Sequence, residues 1–116
     1  MSTVIYGIKN CDTMKKAFAW LEASGHDFTF HDYKKHDLNE QVLRDALEQH
    51  GWENVINRRG TTWRQLPDTV KESMDADGAI DVAKDNPSIV KRPLLVHQGH
   101  IHLGFKDTAY AEIFGN

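Results

Sequence analysis

Apolar residues open the chain as a short run, Val4-Ile5-Tyr6, and their period then changes. Beyond Gly7, the residues Met14, Ala17, Phe18 and Leu21 stand at i, i+3, i+4 and i+7, the spacing of a half-buried helix. Ser24-Gly25 ends that helix, the glycine suiting the left-handed position after the last turn. From His26 to Tyr33, Phe28 and Phe30 alternate with Asp27, Thr29 and His31, which predicts a half-buried strand. Strand, helix and strand together make a βαβ unit with parallel strands and a right-handed crossover.

The pattern turns helical in the middle of the chain. Asp37-Leu38-Asn39-Glu40 has the spacing of a capping box, and Val42, Leu43, Ala46 and Leu47 form the buried stripe behind it. Gly51 closes this helix, and Trp52 to Ile56 reads as a further helical turn. The connection from Asn57 to Arg64 is polar and basic, with no periodicity. Pro67 then begins a weakly amphipathic stretch, and Asp77 to Asp85 predicts a short helix stopped by Asn86-Pro87.

Strand signals return at Ile89 to Val96, interrupted by Lys91-Arg92-Pro93. Gln98-Gly99 supplies a turn, and Ile101 and Leu103 alternate with His100 and His102. Asp107 can cap a last helix that carries Tyr110, Ile113 and Phe114. This order predicts an α/β fold, a four-stranded mixed sheet flanked by helices. The layout is thioredoxin-like, one domain over residues 1–116 with a helical insertion at about 37–86.

Composition changes little in this picture. A chain of 116 residues can bury one core, and 40% hydrophobic with 27% charged residues is ordinary for a globular protein. The apolar runs are too short to span a membrane, and the chain enters a strand without a basic-then-apolar signal segment. A net charge of −3 gives no global attraction to nucleic acid or to an anionic surface. One cysteine allows no internal disulfide, so a cytoplasmic address is expected.

That cysteine, Cys11, sits where the first strand passes into the first helix. A thiol there meets unpaired backbone N–H groups and the positive end of the helix dipole, both of which favour thiolate. Free cysteine is also a common core residue. The polar neighbours Lys9, Asn10, Asp12 and Thr13 favour the reactive reading, with the thiol facing water. Three basic clusters can support it: Lys9, Lys15 and Lys16; Arg58, Arg59 and Arg64; and Lys91-Arg92. Such charges are often plain solvated surface, yet Arg58, Arg59 and Arg92 lie in loops beside apolar segments, and arginine offers a planar fork for oxyanions. Arg92 ranks first and Arg59 second. Pro93 precedes Leu94-Leu95-Val96 and lacks the N–H of a strand residue. It is either cis, opposite the helix carrying Cys11, or a trans residue ending a loop. The histidines show no convincing metal set, since no carboxylate or cysteine joins His97, His100 and His102 at ligand spacing.

These residues resemble the ArsC/Spx family of thioredoxin-like proteins, and within it the YffB-type branch. The resemblance rests on Ile5-Tyr6 leading into Asn10-Cys11-Asp12-Thr13-Met14-Lys15-Lys16, on Asn57-Arg58-Arg59-Gly60, and on Lys91-Arg92-Pro93-Leu94-Leu95. It implies that Cys11 is the nucleophile and that Arg92 binds substrate with one middle-loop arginine, Arg59 or else Arg58; Pro93, Asn10 and Lys9, close to these residues in the chain, complete the expected binding set. It implies glutathione as co-substrate with no bound cofactor. Glutaredoxin or the RNA polymerase α subunit are the further partners implied, without direct nucleic-acid or membrane binding. Two positions depart from the family pattern. Met14 stands where Spx regulators carry the second thiol of a Cys-x-x-Cys pair, and Phe105 stands where arsenate reductases carry a third arginine. The function expected is a glutathione-dependent monothiol reductase. Arsenate reduction and a non-redox, Spx-like docking role are the alternatives.

Overall fold

The computed structural model describes residues 3–9, 11–33, 35–36 and 39–115. In chain order the elements are β1 (Thr3–Gly7), α1 (Asp12–Ala23), β2 (Thr29–Asp32), α2 (Glu40–His50), α3 (Trp52–Val55), α4 (Thr61–Arg64), α5 (Asp68–Glu72) and α6 (Ala76–Asp85). A 3-10 turn (Pro87–Ile89), β3 (Leu94–His97), β4 (His100–Leu103) and α7 (Asp107–Phe114) complete the chain. They divide into two units, residues 1–36 with 92–116, and residues 37–91.

The first unit is a thioredoxin-like layout built on one sheet of order β2-β1-β3-β4. β1 runs parallel to β2 and antiparallel to β3, and β3 and β4 form an antiparallel hairpin. Gln98 and Gly99 turn that hairpin with φ of 52° and 80°, the positive pair that a two-residue hairpin needs. Ile5 lies opposite Leu95 in the register, so the two side chains share a face. Onto that face pack Met14, Ala17 and Leu21 of α1 and Tyr110 of α7, all buried. Phe18, Trp20, Phe28, Phe30, Phe105, Ile113 and Phe114 surround this core as half-buried neighbours.

Met14 explains a second small residue. A Cβ at Gly7 would collide with the Met14 sulfur and methyl. The position that a second thiol would occupy is thus filled by a buried side chain wedged against bare backbone.

β2 is shorter than the alternation from His26 to Tyr33 predicts. Val4 pairs with Thr29, so β1 has almost no backbone left to pair with residues before Thr29, and Phe28 packs without joining the ladder. The N-cap positions also differ from expectation. Asn39, not Asp37, caps α2, its side chain accepting from the Val42 amide at 3.2 Å. Asp37 and Leu38 lie outside the described residues. At α7 the cap is Lys106, and Asp107 occupies the first helical position, its carboxylate accepting from the Thr108 amide at 2.8 Å.

In the second unit, α2 packs against α3 and α6, burying Leu43, Ala46 and Leu47 with Ala79, Ile80 and Ala83. An isolated bridge joins Ile56 to Val90, flanked by Asn57 N–H to Ile89 C=O at 2.7 Å and Lys91 N–H to Val55 C=O at 2.9 Å. The Asn57–Arg64 connection is not wholly irregular, because Thr61–Arg64 closes a single helical turn. One turn is too short for a hydrophobic period to register.

Asp75 caps α6, its carboxylate accepting from the Gly78 amide at 2.7 Å. Asp75→Ala leaves that amide without its acceptor, and we expect a loss of about 1 kcal/mol. A denaturation midpoint unchanged within error would show that the cap contributes nothing.

Candidate functional site

Parallel strands bring their C-terminal ends to the same edge, and here those ends carry the reactive groups. Gly7 at the end of β1 lies beside Asp32 at the end of β2, and the Tyr33 amide donates to the Gly7 carbonyl at 3.1 Å. Cys11 follows β1 as the N-cap residue of α1, with extended backbone (φ −125°, ψ 129°). Its carbonyl accepts from the Lys15 amide at 3.0 Å, closing the first helical turn.

The thiol is half-buried and packs against the core cluster, so it does not simply face water as its polar neighbours suggest. Partial burial pushes its pKa up. That effect is outweighed by the Met14 amide, the Arg92 side chain, the Thr13 amide and the Arg92 charge, and the net direction is down. The two amides are aimed at the sulfur without closing a regular side-chain cap. Helix start and guanidinium act together to favour thiolate.

Arg92 reaches the site from two residues before β3, and the Arg92–Pro93 peptide bond is cis. Its guanidinium serves two groups, the Cys11 sulfur and the Tyr33 hydroxyl. Tyr33 is buried, and burial pushes its pKa up, with the Cys11 and Asp32 charges adding to that. Arg92 opposes the shift by hydrogen bond and by charge. Tyr33 therefore stays a neutral phenol beside the thiolate.

Tyr33 is a site residue that the pattern of the sequence alone does not mark. The available signal was its position directly after a strand that runs parallel to the one leading into Cys11.

The other expected site residues are distributed as follows. Lys9 is exposed and lines a cavity with Lys15 and Phe18. Asn10 lies outside the described residues. Arg58 and Arg59 belong to the second unit, where the Arg58 guanidinium lies over the Trp52 ring at 5.6 Å. Trp63 stacks on the same ring, with centroids 6.0 Å apart. The Arg59 amide donates to the Asn57 side chain at 3.2 Å, and its carbonyl accepts from Arg64 at 2.9 Å. Phe105 meets Tyr110 edge-on, with ring centroids 4.7 Å apart, and offers no donor to an oxyanion.

No helix among the described residues is long and apolar enough to cross a membrane. Also among the described residues, no group of three or more His, Cys, Asp or Glu side chains could hold a metal ion.

Residues 6–113 match the profile of the ArsC family. A solved YffB protein is 44% identical, with a TM-score of 0.92 over 97% of this chain and 98% of its own. An arsenate reductase (ArsC) related protein from Brucella melitensis is 50% identical, with a TM-score of 0.77 over 98% of this chain and 95% of its own. The global transcriptional regulator Spx of Streptococcus pyogenes serotype M6 is 30% identical over 100 residues, 84% of this chain and 74% of that protein.

Proposed function

We propose that this chain, which belongs to the ArsC family, is a monothiol reductase that uses glutathione. The observation that carries the reading is the Arg92 guanidinium on the Cys11 sulfur at the start of α1. A half-buried thiolate held this way is a nucleophile with room on one side for an electrophile. The Cys11 thiolate attacks one sulfur of a glutathione mixed disulfide, forms Cys11–S–S–glutathione, and expels the other sulfur as a thiolate that takes a proton from water. A second glutathione thiolate then attacks the glutathione sulfur of this adduct, releasing oxidised glutathione and restoring Cys11. In net terms the mixed disulfide and one glutathione thiol give the free substrate thiol and oxidised glutathione. The resolving thiol comes from outside, because Cys11 is the sole cysteine and Met14 is locked in the core.

By the family pattern Arg59, or Arg58, supplies a further cation to an anionic substrate, and Asn10 and Lys9 flank the thiol. These roles rest on the sequence motif. Arsenate is a poorer substrate in this reading, since several charged oxygens require matched donors and Phe105 supplies none. The likeness to Spx favours a second reading, in which the chain docks on RNA polymerase without redox chemistry.

Mass spectrometry of the protein treated with oxidised glutathione, run beside an arsenate assay with glutathione and glutaredoxin, separates these. We expect one glutathionyl adduct on Cys11 and arsenate turnover near background. Strong arsenate turnover that disappears in Cys11→Ser would establish the arsenate reading instead. An unmodified Cys11 with no turnover would leave the docking role.

A further inference from the structure

Between α1 and β2, within the same unit as the thiol, lies a cavity of about 560 Å³. Its walls include the half-buried rings of Phe18 and Phe30, which meet edge-to-face with centroids 4.9 Å apart. Its rim carries the exposed lysines Lys9, Lys15 and Lys35. None of these three lysines forms an ion pair among the described residues. Asp32 is the one carboxylate among the described lining residues, and His36 stands on the same rim. Three ammonium groups against one carboxylate leave the opening positive over an aromatic floor.

A volume of this size suits a small molecule, and the two kinds of wall define its chemistry. The rings take an aryl or alkyl body, while the lysines take a carboxylate without demanding the fixed geometry of an arginine fork. The position links the cavity to the nucleophile. Lys9 stands two residues before Cys11 and Lys15 one helical turn after it, and Cys11 packs on the same core cluster as the lining rings Phe18 and Phe30.

We infer that this cavity is the specificity subsite for the electrophile, and that the preferred substrate is a small disulfide bearing an aryl or alkyl carboxylate. The inference rests on the thiol reading of Cys11 given above. The Cys11 thiolate attacks the disulfide sulfur, the Cys11–sulfur bond forms as the original sulfur–sulfur bond breaks, and the expelled carboxylate-bearing thiolate leaves with the electron pair. Glutathione then resolves the adduct.

Two aromatic disulfides test it: the anionic 5,5′-dithiobis(2-nitrobenzoate) and the neutral 4,4′-dithiodipyridine. We expect the ratio of their rate constants, anionic over neutral, to fall about tenfold in the double variant Lys15→Gln with Lys35→Gln. The same charge removed in Lys71→Gln with Lys84→Gln should leave the ratio unchanged. In Cys11→Ser, 2-nitrobenzoate alone should shift the NMR amide signals of Lys15, Phe30 and Lys35. An unchanged ratio in the cavity variant, or an equal fall in both double variants, overturns the subsite. If neither disulfide reacts with the wild-type protein, the thiol reading fails, and the 2-nitrobenzoate titration still decides whether the cavity binds an aryl carboxylate.

Discussion

Cys11→Ser abolishes adduct formation with oxidised glutathione and reduces any disulfide turnover by on the order of 10³-fold or more. A serine hydroxyl in the same place meets the same amides and the same guanidinium, yet it does not ionise near neutral pH, and no other thiol exists in the chain to substitute for it. The fold should survive, because the exchange changes one atom at a half-buried N-cap position, and serine is a favoured residue there. Circular dichroism and a denaturation curve establish that point, and the loss of activity then belongs to the sulfur. Turnover that persists in a folded Cys11→Ser protein would place the chemistry elsewhere.

The second large effect concerns Arg92. Arg92→Met removes the side-chain donor and the positive charge that favour the Cys11 thiolate, so its pKa rises. The sulfur is partly open to solvent, which screens the charge and limits the rise. The sign follows directly. Below the pKa a higher pKa means a smaller thiolate fraction, so alkylation at about pH 6.5 slows several-fold, while the plateau at high pH stays unchanged. Arg92→Lys keeps a charge and should recover part of the loss. An alkylation profile identical to wild type in Arg92→Met would show that the two helix amides alone set the thiol's acidity.

How much of this was legible in the sequence depends on whether a feature is local. The strand-to-helix junction at Cys11 is written in the change from a continuous apolar run to a 3.6-residue period, and the structure places α1 there. The mixed four-stranded sheet likewise follows from the order of the periodic segments. Arg92 could be named because it lies in a loop beside an apolar segment, and its side chain does reach Cys11.

Features that depend on register were not legible. Tyr33 reads as the last aromatic of an alternating strand, and only the pairing of Gly7 with Asp32 brings it beside the thiol. The cavity between α1 and β2 was hidden for a related reason. Phe18 and Phe30 fit core positions of a helix and a strand, and nothing local tells that their rings are half open between two lysine-bearing edges. The stacking of Arg58 over Trp52 joins residues on either side of a bend, and a basic run alone does not reveal it. Capping was misplaced by one or two residues at α2 and α7, where several adjacent polar residues could each serve.

The central claim is that Cys11 is held as a reactive thiolate, and its alkylation rate against pH tests that most directly. Iodoacetamide reacts with the thiolate, so the rate rises with pH and reaches half its plateau at the thiol pKa. The helix amides and Arg92 predict a midpoint clearly below the ~8.5 of a free thiol, with substantial reactivity at neutral pH. A midpoint at or above the free value would contradict the account.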